Sequence, residues 1–443
     1  MADGPRSAGD SPAGPADPGP PDGGASDGRP PDAGVPDAGP RDADPPGPGP
    51  APAGPAPAGA YAAFQDSIYL DGLLTGATPA YPTDATALEA AAGERLEPGP
   101  RGYVLGGAGG GATMRANREA FERRRIVPRM LRDVGTRDLS CSVLGAELPA
   151  PLLLGPIGVQ SIVHPEGELA TARAAAESGL PMVLSTASSY PLEEVAAASG
   201  AGTRWFQLYW PRDDDVTISL LARARAAGYT ALVVTLDTWY LGWRPSDLDL
   251  AYLPFLRHIG IANYLSDPAF LAGLSRPVAA DPTAALVHWA AMFADPTKTW
   301  SDLAFLRENW IGPIVVKGVL HPDDARRARD AGLDGVVVSN HGGRQLDGAV
   351  AALDALPAVV AAVGAELTVL FDSGVRTGAD LLKALALGAR AVLLGRPYVY
   401  GLALGGEAGV RHVLRCLLAE FDLSMALSGH TRPTELQASL LTP

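Results

Sequence analysis

Eight short apolar runs constrain the fold of this chain more than any other feature. They are Leu152–Leu154, Met182–Leu184, Trp205–Leu208, Ala231–Leu236, Ile314–Val316, Gly335–Val338, Thr368–Phe371 and Ala391–Leu394. Each has the length of a strand buried on both faces. Between most of them lie segments of helical period, Gly167–Ser178, Asp214–Ala226, Pro322–Ala331 and Gly378–Leu387. Their ends carry Gly179, Gly228, Gly332 and Gly388, the residue type that most readily closes a helix in a left-handed turn. Buried strands alternating with helices specify a parallel sheet. Eight of them specify its closure into an α/β fold, the (β/α)8 TIM barrel, which typically takes about 250 residues.

Two stretches interrupt the alternation. Residues 61–150 precede the first barrel strand and are expected to form an N-terminal helical segment closing the bottom, plus a segment reaching toward the site. Residues 240–312 form a long insertion after strand four, the kind of loop that serves as a lid or a subunit contact. Trp289, Trp300, Trp310 and Tyr264 are expected to give it a small core of its own. Asp247, Asp249, Asp267, Asp281 and Asp295 deny it the continuous apolar face of a membrane anchor. Residues 1–60 are almost entirely Ala, Gly, Pro, Asp and Ser, and their nine Asp against three Arg account for −6 of the formal −14 charge. Such a segment buries too little surface to offset chain entropy and is expected to be a disordered, solubilising tail. One barrel domain then covers 61–443.

Several classes of function fall away. Two cysteines, Cys141 and Cys416, give no disulfide framework. The N-terminal stretch lacks the basic start and apolar run of a secretory signal, and no apolar run is long enough to span a membrane. The acidic balance argues against nucleic acid as a partner. A soluble cytoplasmic protein is the expectation, with no metal.

The residues that follow the strands are polar. Barrel active sites form at the C-terminal strand ends, so eight furnished ends point to a catalytic mouth. The most telling is Ser339–Gly348, SNHGGRQLDG, which directly follows Gly335–Val338. His341 can take a proton near neutral pH, and Arg344 can grip a carboxylate with two parallel hydrogen bonds. A base beside an anion clamp suggests proton abstraction from a small acid. The seventh and eighth ends, FDSGVRTGAD and LLGRP, combine glycines with Arg376 and Arg396. With Gly374 and Gly395 they suit a phosphate.

The phrases SNHGGRQLDG, FDSGVRTGADLLKALALGA, LLGRP, WFQLYW and VVTLDTWYLGWRPSD occur in this order. Together they make residues 61–440 resemble the FMN-dependent α-hydroxy acid oxidases and dehydrogenases. GPIG, DTWYLGWRPSDLD, NYLSDPAF and the long insertion are most similar to the lactate 2-monooxygenase branch. The resemblance implies FMN across the barrel mouth, its phosphate at Gly374, Arg376, Gly395 and Arg396, with Asp372 and Ser373 nearby. It implies Lys317 at the flavin N1 and O2 edge, and Ser185, Gln207 and Thr235 bonded to the ring. Backbone of Pro156, Ile157 and Gly158 would lie near N5, with Ser339 toward the flavin. On the substrate side it implies His341 as base, Asp237 as its orienting carboxylate and Tyr209 on the substrate hydroxyl. Arg344, Arg244 and Tyr103 would form the carboxylate clamp.

The chain departs from the family pattern twice. Gly109, Gly110 and Gly111 stand where the family usually has acidic residues, which predicts a looser Tyr103 segment. Ala187 stands where relatives carry a larger pocket residue, which predicts room for a side chain larger than methyl. The implied activity is oxidation of a lactate-like L-2-hydroxy acid with oxygen, by monooxygenase-type oxidative decarboxylation, in a homo-oligomer of tetramer size or larger. Alternatives are an oxidase that releases keto acid and hydrogen peroxide, a dehydrogenase with another acceptor, and a non-catalytic barrel that binds a phosphate ligand.

Overall fold

The structure, a computed structural model, describes residues 61–442; the tail read at 1–60 lies outside them. A hairpin of β1 (Cys141–Val143) and β2 (Ala146–Leu148) precedes eight parallel strands: β3 (Leu152–Leu154), β4 (Met182–Ser185), β5 (Arg204–Leu208), β6 (Leu232–Thr235), β7 (Ile314–Val319), β8 (Gly335–Val338), β9 (Thr368–Phe371) and β10 (Ala391–Leu394). Each pairs with its sequence neighbour, and β10 also pairs with β3, so the sheet closes into a barrel. Seven of the helices form the outer ring: α5 (Gly167–Glu177), α6 (Leu192–Ser199), α7 (Asp214–Ala226), α13 (Pro322–Asp330), α14 (Ala352–Val363), α15 (Gly378–Ala386) and the first part of α16 (Arg396–Ser428), which breaks at Gly405 and Gly406. Gly179, Gly228, Gly332 and Gly388 all take positive φ after their helices, as the sequence implied.

Successive side chains on a strand point to opposite faces. Leu153, Val183, Trp205, Val233, Val315, Val337, Leu370 and Leu393 therefore meet inside the barrel as one cluster. Their neighbours, among them Leu184, Phe206, Val234, Val316 and Phe371, pack outward in the larger core shared with the helices. Burial on both faces is what makes the runs continuously apolar.

The barrel floor differs from expectation. It is sealed by the hairpin, whose Val143 and Leu148 join the interior cluster. The strands reverse through Leu144 and Gly145, both at positive φ (50° and 82°), the backbone of a two-residue hairpin turn. Two three-residue strands are too short for their alternation to stand out in CSVLGAEL. The N-terminal helices lie elsewhere. Both α1 (Ala63–Thr75) and α2 (Ala85–Arg95) pack on α16, α3 (Pro98–Leu105) packs on α8 (Pro245–Asp249), and α4 (Ala112–Arg123) packs on α14 and on the turn after β8.

The insertion folds as α8 (Pro245–Asp249), α9 (Ala262–Leu265), α10 (Pro268–Ala272), α11 (Pro282–Met292) and α12 (Leu303–Asn309). Its core is not separate. Phe255, Tyr264, Phe270, Trp289 and Trp310 belong to the main cluster, and Trp300 packs at its edge. Helices this short have no second layer of their own, so they bury their apolar faces against the barrel shell. Asp267, fully buried, caps α10 and pairs with Arg223 on α7 at 3.0 Å, fastening the insertion to that shell. Among the described residues no helix is long and apolar enough to cross a membrane.

The hairpin yields a test. Leu148→Ala opens a cavity under the barrel, which costs about 2–5 kcal/mol. A urea titration should show a clearly lower unfolding midpoint; an unchanged midpoint would mean that the hairpin does not plug the floor.

Candidate active site

Two residues beyond the interior apolar layer, the same inward-facing columns carry Gly155, Ser185, Gln207, Thr235, Lys317, Ser339, Asp372 and Gly395. The layer is polar and bonded within itself. Ser185 Oγ donates to Gln207 Oε1 (2.9 Å), and Gln207 Nε2 donates to Thr235 Oγ1 (3.0 Å). Lys317 Nζ donates to Ser339 Oγ (2.8 Å) and lies 3.2 Å from Asp372 Oδ2. Burial alone would push the Lys317 ammonium down, but the Asp372 and Asp237 carboxylates outweigh it and hold it above its ordinary value. A fixed positive charge thus sits at the centre of the cleft floor.

His341 and Asp237 meet just above. His341 Nδ1 lies 2.8 Å from Asp237 Oδ1, and Thr238 Oγ1 donates to the same oxygen at 3.0 Å. Burial pushes the Asp237 carboxyl up, yet its interaction with His341, the Lys317 ammonium and the hydrogen bonds from His341 and Thr238 hold it down at about 2. Burial lowers the His341 imidazole below its ordinary value, even though Asp237 alone would raise it. The ring is neutral at pH 7, and with Nδ1 engaged by the carboxylate, Nε2 is the nitrogen left to take a proton. Gly318 makes the room: it sits at φ 106°, at a register shift in β7, and a Cβ there would lie 2.8 Å from the Asp237 Cγ.

The turn carrying His341 is itself wound tightly. His341 has φ 57° and is followed by two glycines at φ 63° and 75°. Ser339 Oγ accepts from the His341 N–H (3.0 Å), and Ser373 Oγ accepts from the Gly342 N–H (3.0 Å).

On the outer side stand the arginines. Arg344 is half-buried and donates to the carbonyls of Tyr103 and Gly106, with its guanidinium 4.9 Å from the Tyr103 ring centre. No carboxylate pairs with it among the described residues. Burial and the nearby Arg244 lower its pKa to about 9, which still leaves it charged at neutral pH. Arg244 Nε donates to the Arg344 carbonyl (2.9 Å), and its Nη2 to Gln345 Oε1. Tyr209 lines the same space, and burial, reinforced by Asp237, raises its phenol so that it stays a donor. Arg376 lies 3.4 Å from Glu89 at the rim. Arg396 is more committed than the sequence implied, since it donates to the carbonyls of Val104, Gly342 and Gly106, each at 3.0 Å.

The cleft encloses about 1210 Å³ out to its open mouth. Tyr103, Pro156, Ile157, Gly158, Ser185, Tyr209, Arg244, Lys317, His341, Arg344, Asp372, Ser373, Gly374, Arg376, Gly395 and Arg396 all line it. Of the residues read from the sequence, Gln207, Asp237 and Ser339 stand behind that wall and bond to residues on it, and Thr235, also behind it, bonds to Gln207. Five cations and one carboxylate line the cleft of a chain whose net charge is −14. Such a surface suits anions.

Several supporting residues escaped the sequence reading. The side-chain amides of Asn117 and Asn340 bond each other reciprocally (2.9 and 2.8 Å), and Asn117 Oδ1 also accepts from the Ala352 N–H. Thr113, Asn117, Ala120 and Phe121 all face inward on α4, a helical period that would have marked Asn117. Gln345 Nε2 donates to the carbonyls of Asp237 (2.8 Å) and Tyr240 (2.9 Å). Glu168, fully buried, accepts from the N–H groups of Gln160 and Ser189, bracing the loop after β3. The Tyr103 segment is not loosened by its glycines. Ala108 N–H donates to the Gly343 carbonyl (2.9 Å), and Asp347 Oδ1 accepts from the Thr113 N–H (2.9 Å), so Asp347 supplies the acid. Asn117→Ala removes both of its bonds to the Asn340 amide and the acceptor of the buried Ala352 N–H, and should cost about 1–3 kcal/mol. A melting curve should shift down by several degrees; an unshifted curve would show that the amide pair does not hold the turn.

The comparisons agree with this geometry. The FMN-dependent alpha-hydroxy acid dehydrogenase qulF of Penicillium citrinum is 49% identical over 372 residues, covering 83% of this chain and 92% of the other. An L-lactate oxidase of Lysinibacillus sphaericus is 45% identical over 79% of this chain and 90% of its own length. A 4-hydroxymandelate oxidase of Amycolatopsis orientalis is 42% identical, with coverages of 74% and 89%. A crystal structure of mandelate oxidase superposes with a TM-score of 0.72 at 40% identity, covering 82% of this chain and 98% of that one. A family model described as FMN-dependent dehydrogenase matches residues 92–443. The chain belongs to the FMN-dependent dehydrogenase family.

Proposed function

We propose that this protein oxidises an L-2-hydroxy acid with oxygen as the final acceptor, and that it does so by oxidative decarboxylation of the lactate 2-monooxygenase type. The observation that carries the reading is the pairing of a neutral, carboxylate-oriented His341 with a half-buried Arg344 that no carboxylate pairs with among the described residues. FMN, on which the family depends, supplies the two-electron acceptor when bound. The cleft fits it chemically: Gly374, Arg376, Gly395 and Arg396 would hold the phosphate with Asp372 and Ser373. Ser185, Gln207, Thr235, Lys317 and Ser339 form a polar floor for a heteroatom-rich ring. The backbone of Pro156, Ile157 and Gly158 would close one side.

The chain's own groups then divide the work. Arg344, Arg244 and Tyr103 bind the substrate carboxylate. Tyr209, kept protonated by its burial, donates to the substrate hydroxyl. His341 Nε2 takes the substrate proton as general base, and Asp237 steadies the imidazolium that results. Lys317 offers positive charge to an electron-rich partner on the floor.

Relatives named as L-lactate oxidases favour the plain oxidase as the second reading. The two differ in whether the keto acid leaves before peroxide reacts with it. The insertion at 240–312, which places Leu241, Arg244, Phe255 and Phe293 on the cleft, is the lid we assign to keto-acid retention. Aerobic turnover with product analysis decides. The proposal expects carbon dioxide and the acid shortened by one carbon, with little free peroxide. Stoichiometric peroxide with accumulating keto acid would establish the oxidase instead.

A further inference from the structure

We infer that the preferred substrate carries an aryl group, a deepening that rests on the 2-hydroxy acid reading above. The cleft has a polar end and an apolar end. At the polar end stand Arg344, Arg244 and Tyr103. Tyr209 marks the junction, and from it a row of rings leads away. The Tyr209 and Phe293 ring centres are 5.2 Å apart, Phe293 and Phe255 are 6.0 Å apart, and Phe255 rests on Trp289 at 4.9 Å. Phe255 and Phe293 line the cleft, whereas Trp289 braces them from behind.

Ala187 stands beside this row. A Cβ placed on Gly260 would lie 2.4 Å from Val159 Cγ1, 2.8 Å from Phe255 Cε1 and 3.1 Å from the Ala187 carbonyl oxygen, so only the bare backbone of Gly260 lets Phe255 and Ala187 stand close together on the cleft wall. Leu241 completes the apolar lining. A hydroxy acid whose carboxylate rests on the arginines and whose α-carbon faces His341 can direct its side chain only toward the remaining wall. A methyl group would leave the half-buried Phe293, on the cleft wall beside the buried Phe255, in contact with water. An aromatic ring covers Phe293, and pairs at the 4.5–7 Å centre separations that tilted aromatic rings prefer. The methyl of Ala187 leaves the space that a larger residue there would fill.

The test is anaerobic stopped-flow reduction of the FMN-loaded protein by L-lactate, L-2-hydroxyoctanoate, (S)-mandelate and L-3-phenyllactate. The second-order reduction rate should be at least tenfold higher for one of the two aryl acids than for either non-aryl acid. In Phe293→Ala the aryl-to-lactate ratio should fall at least tenfold, and in Ala187→Trp it should fall further. Because each ratio is taken within one loaded variant, a general loss of folding does not mimic the effect. Lactate or the alkyl acid reacting as fast as the aryl acids would overturn the inference and leave the 2-hydroxy acid reading intact, as would an unchanged ratio in Phe293→Ala. No reduction by any of the four acids would overturn both.

Discussion

A closed eight-stranded barrel gives each strand one inward position per layer, and everything catalytic here depends on that parity. The inward positions of one layer, from Leu153 round to Leu393, are apolar and are sealed from below by Val143 and Leu148. Two residues further along the same columns come Ser185, Gln207, Thr235, Lys317, Ser339 and Asp372. The loops that follow the strand ends carry Ile157, Ala187, Tyr209, Asp237, His341 and Gly374 onto the cleft or just behind its wall. Because side chains alternate strictly, a slip of one residue in any strand would turn its polar groups into the helical shell and its apolar groups into the mouth. The dry layer beneath is therefore what fixes the wet layer above.

The electrostatics follow from that placement. The chain is acidic, but the cleft concentrates guanidinium and ammonium groups in a setting of reduced solvent, where their fields are screened least. Lys317 keeps its charge because Asp372 and Asp237 face it. Asp237 stays ionised because His341 and Lys317 face it, and His341 stays neutral because burial outweighs its carboxylate partner. Arg344 keeps its charge without a carboxylate, so its geometry is set by two backbone carbonyls and a tyrosine ring. Such a site is arranged for an anionic substrate rather than for its own stability.

Much of this was legible in the sequence. The strand runs were readable because burial on both faces leaves no polar interruption, and their polar ends were readable because strand length fixes where each run stops. The hairpin under the barrel was not, since three-residue strands show no period. The helical period of Thr113, Asn117, Ala120 and Phe121 marks Asn117 as inward-facing, but its partner was hidden because it lies more than two hundred residues away. Phe255 and Phe293 were passed over because an aromatic residue in a long insertion reads as packing, and only the folded chain shows two of them turned toward the cleft. The glycines after Tyr103 suggested looseness, but the stabilising acid comes from Asp347, near the end of the turn that carries His341.

The central claim is that His341, oriented by Asp237, is a neutral base at physiological pH. The most direct measurement is the pH dependence of the second-order rate of anaerobic flavin reduction by substrate. The base works only when unprotonated, so the rate must fall as pH drops through its pKa. Burial places that pKa below the ordinary 6.5, while Asp237 at about 2 does not titrate in the same window. The account predicts a rate that declines on the acid side through a single protonation with its midpoint below 6.5 and reaches a plateau on the alkaline side of that midpoint. A midpoint above 6.5, or a rate that rises toward acid, would contradict it.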